Sequence, residues 1–259
     1  MATEIGQVEA IFRYPVKSMA GERLEAADLG WHGLEGDRRL AFRRMEDRSG
    51  FPWLTAGKLP DLILFAPQRR EDGALLSPSQ GNLPTHVRTP TGQVLAVFGD
   101  DLAEEIGGRY GSPVQMMQLK QGIFDEASIS VIAIDTVREI ARLAGVSPDV
   151  RRFRPNILVR SLRTVPFQED SWLGGVLSFG EGDDSPAVTV TMHDVRCSML
   201  NLDPDSASSQ PEVLKAVVRV NQNNAGIYAA VTRTGRLKVG QTIFFHAAKE
   251  KKNGAARRI

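Results

Sequence analysis

Residues 188–204 read Val-Thr-Val-Thr-Met-His-Asp-Val-Arg-Cys-Ser-Met-Leu-Asn-Leu-Asp-Pro and hold Cys197, the single cysteine among 259 residues. Val188, Val190 and Met192 alternate with Thr189, Thr191 and His193, a period of two that predicts a half-buried strand. The strand runs towards Arg196-Cys197 and ends at the Asp203-Pro204 turn signal. A lone thiol beside a guanidinium at a strand end is a place where a thiolate can be stabilised and presented. The competing reading is an inert, buried small side chain, the common fate of a free cysteine.

Working outward, short strand-like runs dominate the first half: 5–13, 23–29, 39–44, 62–66, 94–98 and 114–119. Many short strands at close spacing are the signature of an antiparallel barrel or sandwich. Pro15 lacks an amide donor, so it marks a strand edge or end and leaves Lys17 and Ser18 just beyond, free to face a ligand. The loop 30–38 holds Gly30, Gly33 and Gly36, which suggests backbone of positive φ or close approach, and it ends on Arg38, a fork suited to phosphate. A short helix is predicted over 102–106. After a loop at 122–127, a β-rich run 129–134 leads into a helix 136–144, with Asp135 as its N-cap and Gly145 closing it. Arg151, Arg152 and Arg154 stand before the apolar run 157–159; such a run is either a solvated face or an anion site held at a strand entrance. Residues 166–175, with two acids and Trp172, read as a pocket wall or a surface loop. Strands at 176–179, 227–231, 237–239 and 242–245 and a helix 212–220 behind Pro211 complete the pattern.

The totals narrow the function. A formal net charge of +1 argues against nucleic-acid binding by bulk electrostatics. One cysteine excludes an internal disulfide and a cysteine-ligated iron–sulfur cluster. The opening residues lack the basic start and apolar run of a signal peptide, and no stretch approaches the ~20 apolar residues of a membrane helix, so a cytoplasmic chain with no membrane partner is expected. His32, His86, His193 and His246 show no ligand spacing around Cys197. Any metal at this thiol should therefore arrive within a cofactor that supplies its own other ligands. Lys17, Ser18, Arg38, Arg154, Asn156, Arg196 and Cys197 form the informative set: donors for an anion and one thiol, from both halves of the chain.

These residues carry a resemblance. Tyr14-Pro15-Val16-Lys17-Ser18 with Gly33-Leu34-Glu35-Gly36-Asp37-Arg38 resembles the N-terminal β-barrel region of the MOSC (molybdenum cofactor sulfurase C-terminal domain) proteins. Arg152–Asn156, Glu169–Trp172, Arg196-Cys197 with Asp203-Pro204, Gly226-Ile227-Tyr228 and Lys238-Val239-Gly240 resemble the MOSC domain itself, in family order over roughly residues 5–246. The resemblance implies a mainly β (α+β) chain with an antiparallel barrel and a few short helices. It is divided into an N-terminal region 1–121, a MOSC domain 122–247 and a basic, disordered tail 248–259. It also implies binding of the molybdenum cofactor, as in relatives such as the mitochondrial amidoxime reducing component. Cys197 would be the metal ligand, and Lys17, Ser18, Arg38 and Arg154 would grip the pterin and its phosphate, with Asn156 and Arg196 in the same set. Asp125 and Ser128 sit where the family has an Asp and hydroxyl residues near the metal, at a different local spacing. The activity implied is reduction of small N-hydroxylated or N-oxygenated substrates, with electrons from a separate flavoprotein or ferredoxin. The alternative is a sulfur carrier, with a persulfide on Cys197, or a cofactor-handling module. The pyridoxal phosphate of the sulfurases belongs to a desulfurase domain ahead of their MOSC region, and is not expected here.

Overall fold

A computed structural model describes residues 2–69, 82–120, 122 and 126–248; Asp125 and most of the basic tail lie outside the described residues. In chain order the first half forms β1 (Ala2–Arg13), β2 (Glu22–Leu24), β3 (Ala26–Gly30), β4 (Gly33–Leu34), β5 (Leu40–Arg44), β6 (Ala66–Gln68), β7 (His86–Arg88), β8 (Val94–Ala96), α1 (Asp100–Tyr110) and β9 (Val114–Gln118). The second half adds β10 (Ile129–Ala133), α2 (Ile134–Ala144), β11 (Ile157–Ser161), β12 (Val176–Phe179), β13 (Ala187–Val195), α3 (Glu212–Asn221), β14 (Asn224–Arg233), β15 (Gly235–Lys238) and β16 (Thr242–His246).

Seven strands close into a barrel in the order β1-β11-β10-β14-β13-β12-β16 and back to β1. Closure depends on β1, which pairs antiparallel with β11 from Gly6 to Ile11 and with β16 from Ala2 to Gln7. The first strand of the chain is thus a stave of the barrel that the second half builds. Inward side chains such as Val8, Ile11, Val131, Val159, Leu177, Val190 and Ile227 fill it, and Trp172 adds its ring. That settles the 166–175 stretch: it is neither wall nor surface loop alone, because Trp172 and Glu169 are both buried in a short 3-10 turn. One barrel pair, β10 with β11, is parallel, because α2 carries the chain across between them. The helices α2 and α3 cover the outside through Val137, Ile140, Val213 and Val217, which pack on Phe12, Ile132 and Leu158. A second core, with Met19, Phe42, Leu62, Phe65, Leu102 and Ile106, organises β5–β9 and α1 beside the barrel.

Three local expectations change. Residues 60–64 form a 3-10 turn and the strand follows at Ala66–Gln68: Pro60 sits in the first turn, where its fixed φ and missing amide suit a helical start. The helix predicted over 102–106 runs through Gly107-Gly108 to Tyr110 and stops at Gly111, whose φ of 83° ends it left-handed. Asp135 is not the N-cap of α2; Ala133 is, and its amide donates to Glu169 Oε1 from the 3-10 turn (3.3 Å). The cap is tertiary, so no residue near 135 announces it.

Glu169 is fully buried, with Thr136 Oγ1 donating to its other oxygen (2.9 Å). Burial pushes its carboxyl up to about 7, against the hydrogen bonds from its own backbone surroundings, Thr136 and Ala133. A carboxyl raised from 4.5 holds its proton longer folded than unfolded, so wild-type stability falls as pH climbs from about 4.5 to about 7. Glu169→Gln, which keeps the acceptor for Ala133, should remove a decline on the order of 1–3 kcal/mol over that window. Urea unfolding of both proteins between pH 4.5 and 7.5 checks it; parallel stability curves would refute it.

Candidate functional site

The chain leaves β1 at Tyr14-Pro15 and crosses to the second core. There Val16 bridges Leu40, the Lys17 amide donates to the Leu40 carbonyl (2.8 Å) and the Arg38 amide to the Tyr14 carbonyl (2.7 Å). Buried Asp37 locks this crossing: Oδ1 accepts the Tyr14 amide (2.7 Å) and Oδ2 the Arg38 guanidinium (2.5 Å). The glycines of the preceding loop are needed for contact as well as for φ. At Gly33 (φ 102°) a Cβ would lie 2.7 Å from the Ser128 carbonyl oxygen, and at Gly36 (φ 84°) 2.6 Å from the Asn82 oxygen.

Between the two cores opens a cleft of about 440 Å³, whose described walls include Lys17, Ser18, Arg38, Arg154, Arg196 and Cys197. Six of the nine residues singled out from sequence therefore meet in one cavity. Ser18, Arg38 and Arg154 have φ of 65°, 48° and 51°, three of the seven described non-glycine residues in the left-handed region. Such backbone costs of order 1 kcal/mol or more per residue, and it concentrates where surroundings over-determine it. Here they do. The Arg154 guanidinium donates to the Met19 carbonyl (2.7 Å), the Arg38 guanidinium to the Arg154 carbonyl (3.2 Å), and both cations sit over the Tyr14 ring, at 4.2 and 4.9 Å from its centroid. Tyr14 is wholly buried, and burial pushes its phenol up to about 12, so it stays neutral. Lys17 is buried too, its ammonium 5.6 Å from the Phe51 ring centroid.

Cys197 is exposed, which removes the reading of an inert buried thiol. It caps the 3-10 turn Ser198–Asn201 with its carbonyl, which accepts the Leu200 amide (3.1 Å). Arg196 is differently employed from the sequence expectation. Its guanidinium pairs with buried Asp194 and donates to the Phe153 carbonyl (2.5 Å). Its charge is thus largely answered before it reaches the thiol. Desolvation raises the Asp194 carboxyl from its ordinary value, while Arg196, Ser130 and Tyr228 pull the other way. The run 151–154 splits three ways: Arg151 binds Asp149 and Asp205 outside, Arg152 is buried on Asp203 and Gln210, and Arg154 faces the cleft.

Asn156 and Ser128 are not among the cleft's described lining residues. The Asn156 carboxamide is occupied as a brace: Oδ1 accepts the Ser130 amide (3.1 Å), and Nδ2 donates to the Phe12 carbonyl (3.3 Å). Ser130, two residues on from Ser128, does line the cleft, and its hydroxyl donates to Asp194 (2.9 Å). Sequence reading passed over Asp194, Ser130 and Phe51. Asp194 had a signal in standing two residues before Arg196; the strand's alternation does not carry through to it, because the register shifts after Val190 and leaves Met192 exposed. Asn223 had none, yet its Nδ2 and carbonyl hold the Arg196 carbonyl and amide at 2.8 and 2.9 Å, fixing the approach to Cys197. Among the described residues no three His, Cys, Asp or Glu side chains gather as a metal site.

Residues 109–244 match the MOSC domain and residues 5–101 the MOSC N-terminal beta barrel domain. The chain belongs to the MOSC family. MOSC domains are associated with molybdenum-cofactor binding and with sulfur and cofactor handling. The crystal structure of the YUAD protein from Bacillus subtilis is similar over 96% of this chain and 100% of that one, at 17% identity and a TM-score of 0.52, and shares the fold. YiiM from Geobacillus stearothermophilus is 18% identical over 46% of this chain and 54% of its own, at a TM-score of 0.36, too low to argue from. No curated protein matches the chain. No helix among the described residues is long and apolar enough to cross a membrane.

Removing one partner of the Asp194–Arg196 pair leaves a buried charge unanswered, whereas Cys197 is exposed and bears no packing. Asp194→Ala should cost about 3 kcal/mol or more, and Cys197→Ser should stay within about 0.5 kcal/mol of the wild-type MOSC protein. Urea denaturation separates them; equal losses would contradict this assignment.

Proposed function

We propose that the cleft binds the molybdenum cofactor with Cys197 as the protein's ligand to the metal, and that the protein reduces small N-hydroxylated or N-oxygenated compounds. The observation that carries this reading is one exposed thiol on the wall of the cleft that also holds Lys17, Ser18, Arg38 and Arg154. The residues fit the group. Five cationic side chains line the described cleft; three of them, Arg38, Arg152 and Arg196, are paired with Asp37, Asp203 and Asp194, and the guanidinium and ammonium donors together suit a phosphate-bearing ligand. The left-handed backbone at 18, 38 and 154 holds its donors in place before any ligand arrives. When bound, the cofactor supplies two-electron oxygen-atom chemistry at its metal.

The chain's own part is recognition and placement. Lys17, Arg38 and Arg154 neutralise the phosphate, and the Ser18 hydroxyl adds a donor or acceptor. Cys197 gives up its proton on ligating, since only the thiolate binds metal. Arg196, engaged by Asp194, would hold the backbone beside Cys197 in place. Electrons come from a separate flavoprotein or ferredoxin. Exposure of Cys197 also suits a sulfur carrier bearing a persulfide, the second reading.

Molybdenum and pterin analysis of protein from a molybdenum-replete host separates them. The wild type should hold both in near one-to-one amounts, Cys197→Ser should lose metal, and Lys17→Glu should lose pterin as well. Retained molybdenum and hydroxylamine turnover in Cys197→Ser would sink the proposal. A metal-free wild type with one extra sulfur on Cys197 by intact mass would move the assignment to sulfur transfer.

A further inference from the structure

A second cavity, of about 190 Å³, lies behind the Cys197 turn. It shares Arg152, Arg154 and Met199 with the cofactor cleft but none of Lys17, Ser18, Arg38 or Cys197. Its volume is in the range of cavities that admit a benzene ring and suits a compact ring or short chain.

Two chemistries meet in its walls. Phe12, Ile63, Leu202 and Pro204 are apolar, whereas all its charged lining residues are arginines: Arg23, Arg151, Arg152 and Arg154. Arg151 and Arg152 are answered by carboxylates from behind, at Asp149, Asp205 and Asp203. Arg23, exposed on β2, has no ion-pair partner among the described residues. Two further donors in the walls are buried without an acceptor, the Tyr14 hydroxyl and Arg152 Nε. A wall rich in donors and short of acceptors is complementary to an anion, and the apolar side asks for a hydrocarbon body.

We infer that this cavity is a binding site for a small organic carboxylate with an apolar body, distinct from the cofactor cleft. The carboxylate meets Arg23 at the mouth, and the hydrocarbon lies against Phe12, Ile63 and Leu202. The inference stands whatever occupies the neighbouring cleft.

Titration calorimetry of the full-length protein with benzoate tests it, beside inorganic phosphate and benzyl alcohol, which carry the charge and the ring separately. Benzoate should bind one-to-one with a dissociation constant of about 1 mM or tighter, and each control at least tenfold more weakly. Arg23→Glu should weaken benzoate at least tenfold, while Lys238→Glu, an equal charge change on exposed β15, should leave it within twofold. Ala20→Leu, which narrows the cavity, supplies a second variant, and thermal melts establish that each is folded. Lys17→Glu, in the other cleft, should keep benzoate affinity within twofold. The assignment is overturned by absent binding, by phosphate equalling benzoate, by an unaffected Arg23→Glu, or by loss in Lys17→Glu, which would put the ligand in the cofactor cleft.

Discussion

Among the contacts that join the two halves of this MOSC chain, beside the β1–β11 and β1–β16 ladders, Asn156 holds the point where β1 leaves the barrel. Its backbone amide donates to the Ser130 carbonyl and its carbonyl accepts the Phe12 amide, each at 2.8 Å. Its carboxamide returns to the same two neighbours and reaches Arg38 at 3.5 Å. One residue thus fastens β1 to β10 at the place where β1 is about to leave the barrel. A buried amide with all its groups engaged resists any other register, because each alternative strands a donor or acceptor away from water. From that fixed point, Tyr14-Pro15 turns the chain out to Lys17 and Ser18, and Asp37 brings Arg38 back over Tyr14.

This geometry accounts for the strain in the cleft. Three left-handed residues within one cavity are unfavourable locally, yet the chain around them is held: Val16 and Lys17, just before Ser18, pair with Leu40, Arg38 is held by Asp37 and Tyr14, and Arg154 by Met19. Barrel closure supplies the stability that such backbone consumes. Donors are thereby set before a ligand binds, which reduces the ordering cost of binding.

Legibility from sequence followed the range of the interaction responsible. Strand existence was legible along most of the chain because alternation is a local signal, and Gly145 and Gly33 announced their turns. The run 62–66 reads as strand because its apolar residues have no decisive period, whereas 60–64 form a 3-10 turn to which Pro60 is the better guide. The α2 cap was invisible because it comes from Glu169, 36 residues away. In the cleft, charged and sulfur-bearing side chains were picked out by their chemistry, and Lys17, Arg38, Arg154 and Cys197 do share one wall. The residues that hold them could not be found the same way. Asn156 reads as one more donor until Phe12 and Ser130 are seen to occupy it.

The Asp194–Arg196 pair carries the last step. In sequence, a guanidinium next to a thiol reads as a device for making thiolate. In space, Asp194 sits inward on β13, receives Ser130 and takes the guanidinium, so the pair is close to neutral and acts as a rigid support under the Cys197 turn. Asn223 fixes the same backbone from the other side. The backbone beside the thiol is thereby held in position from two sides. Such mounting suits the proposed cofactor-binding role, in which an incoming metal would displace the thiol's proton.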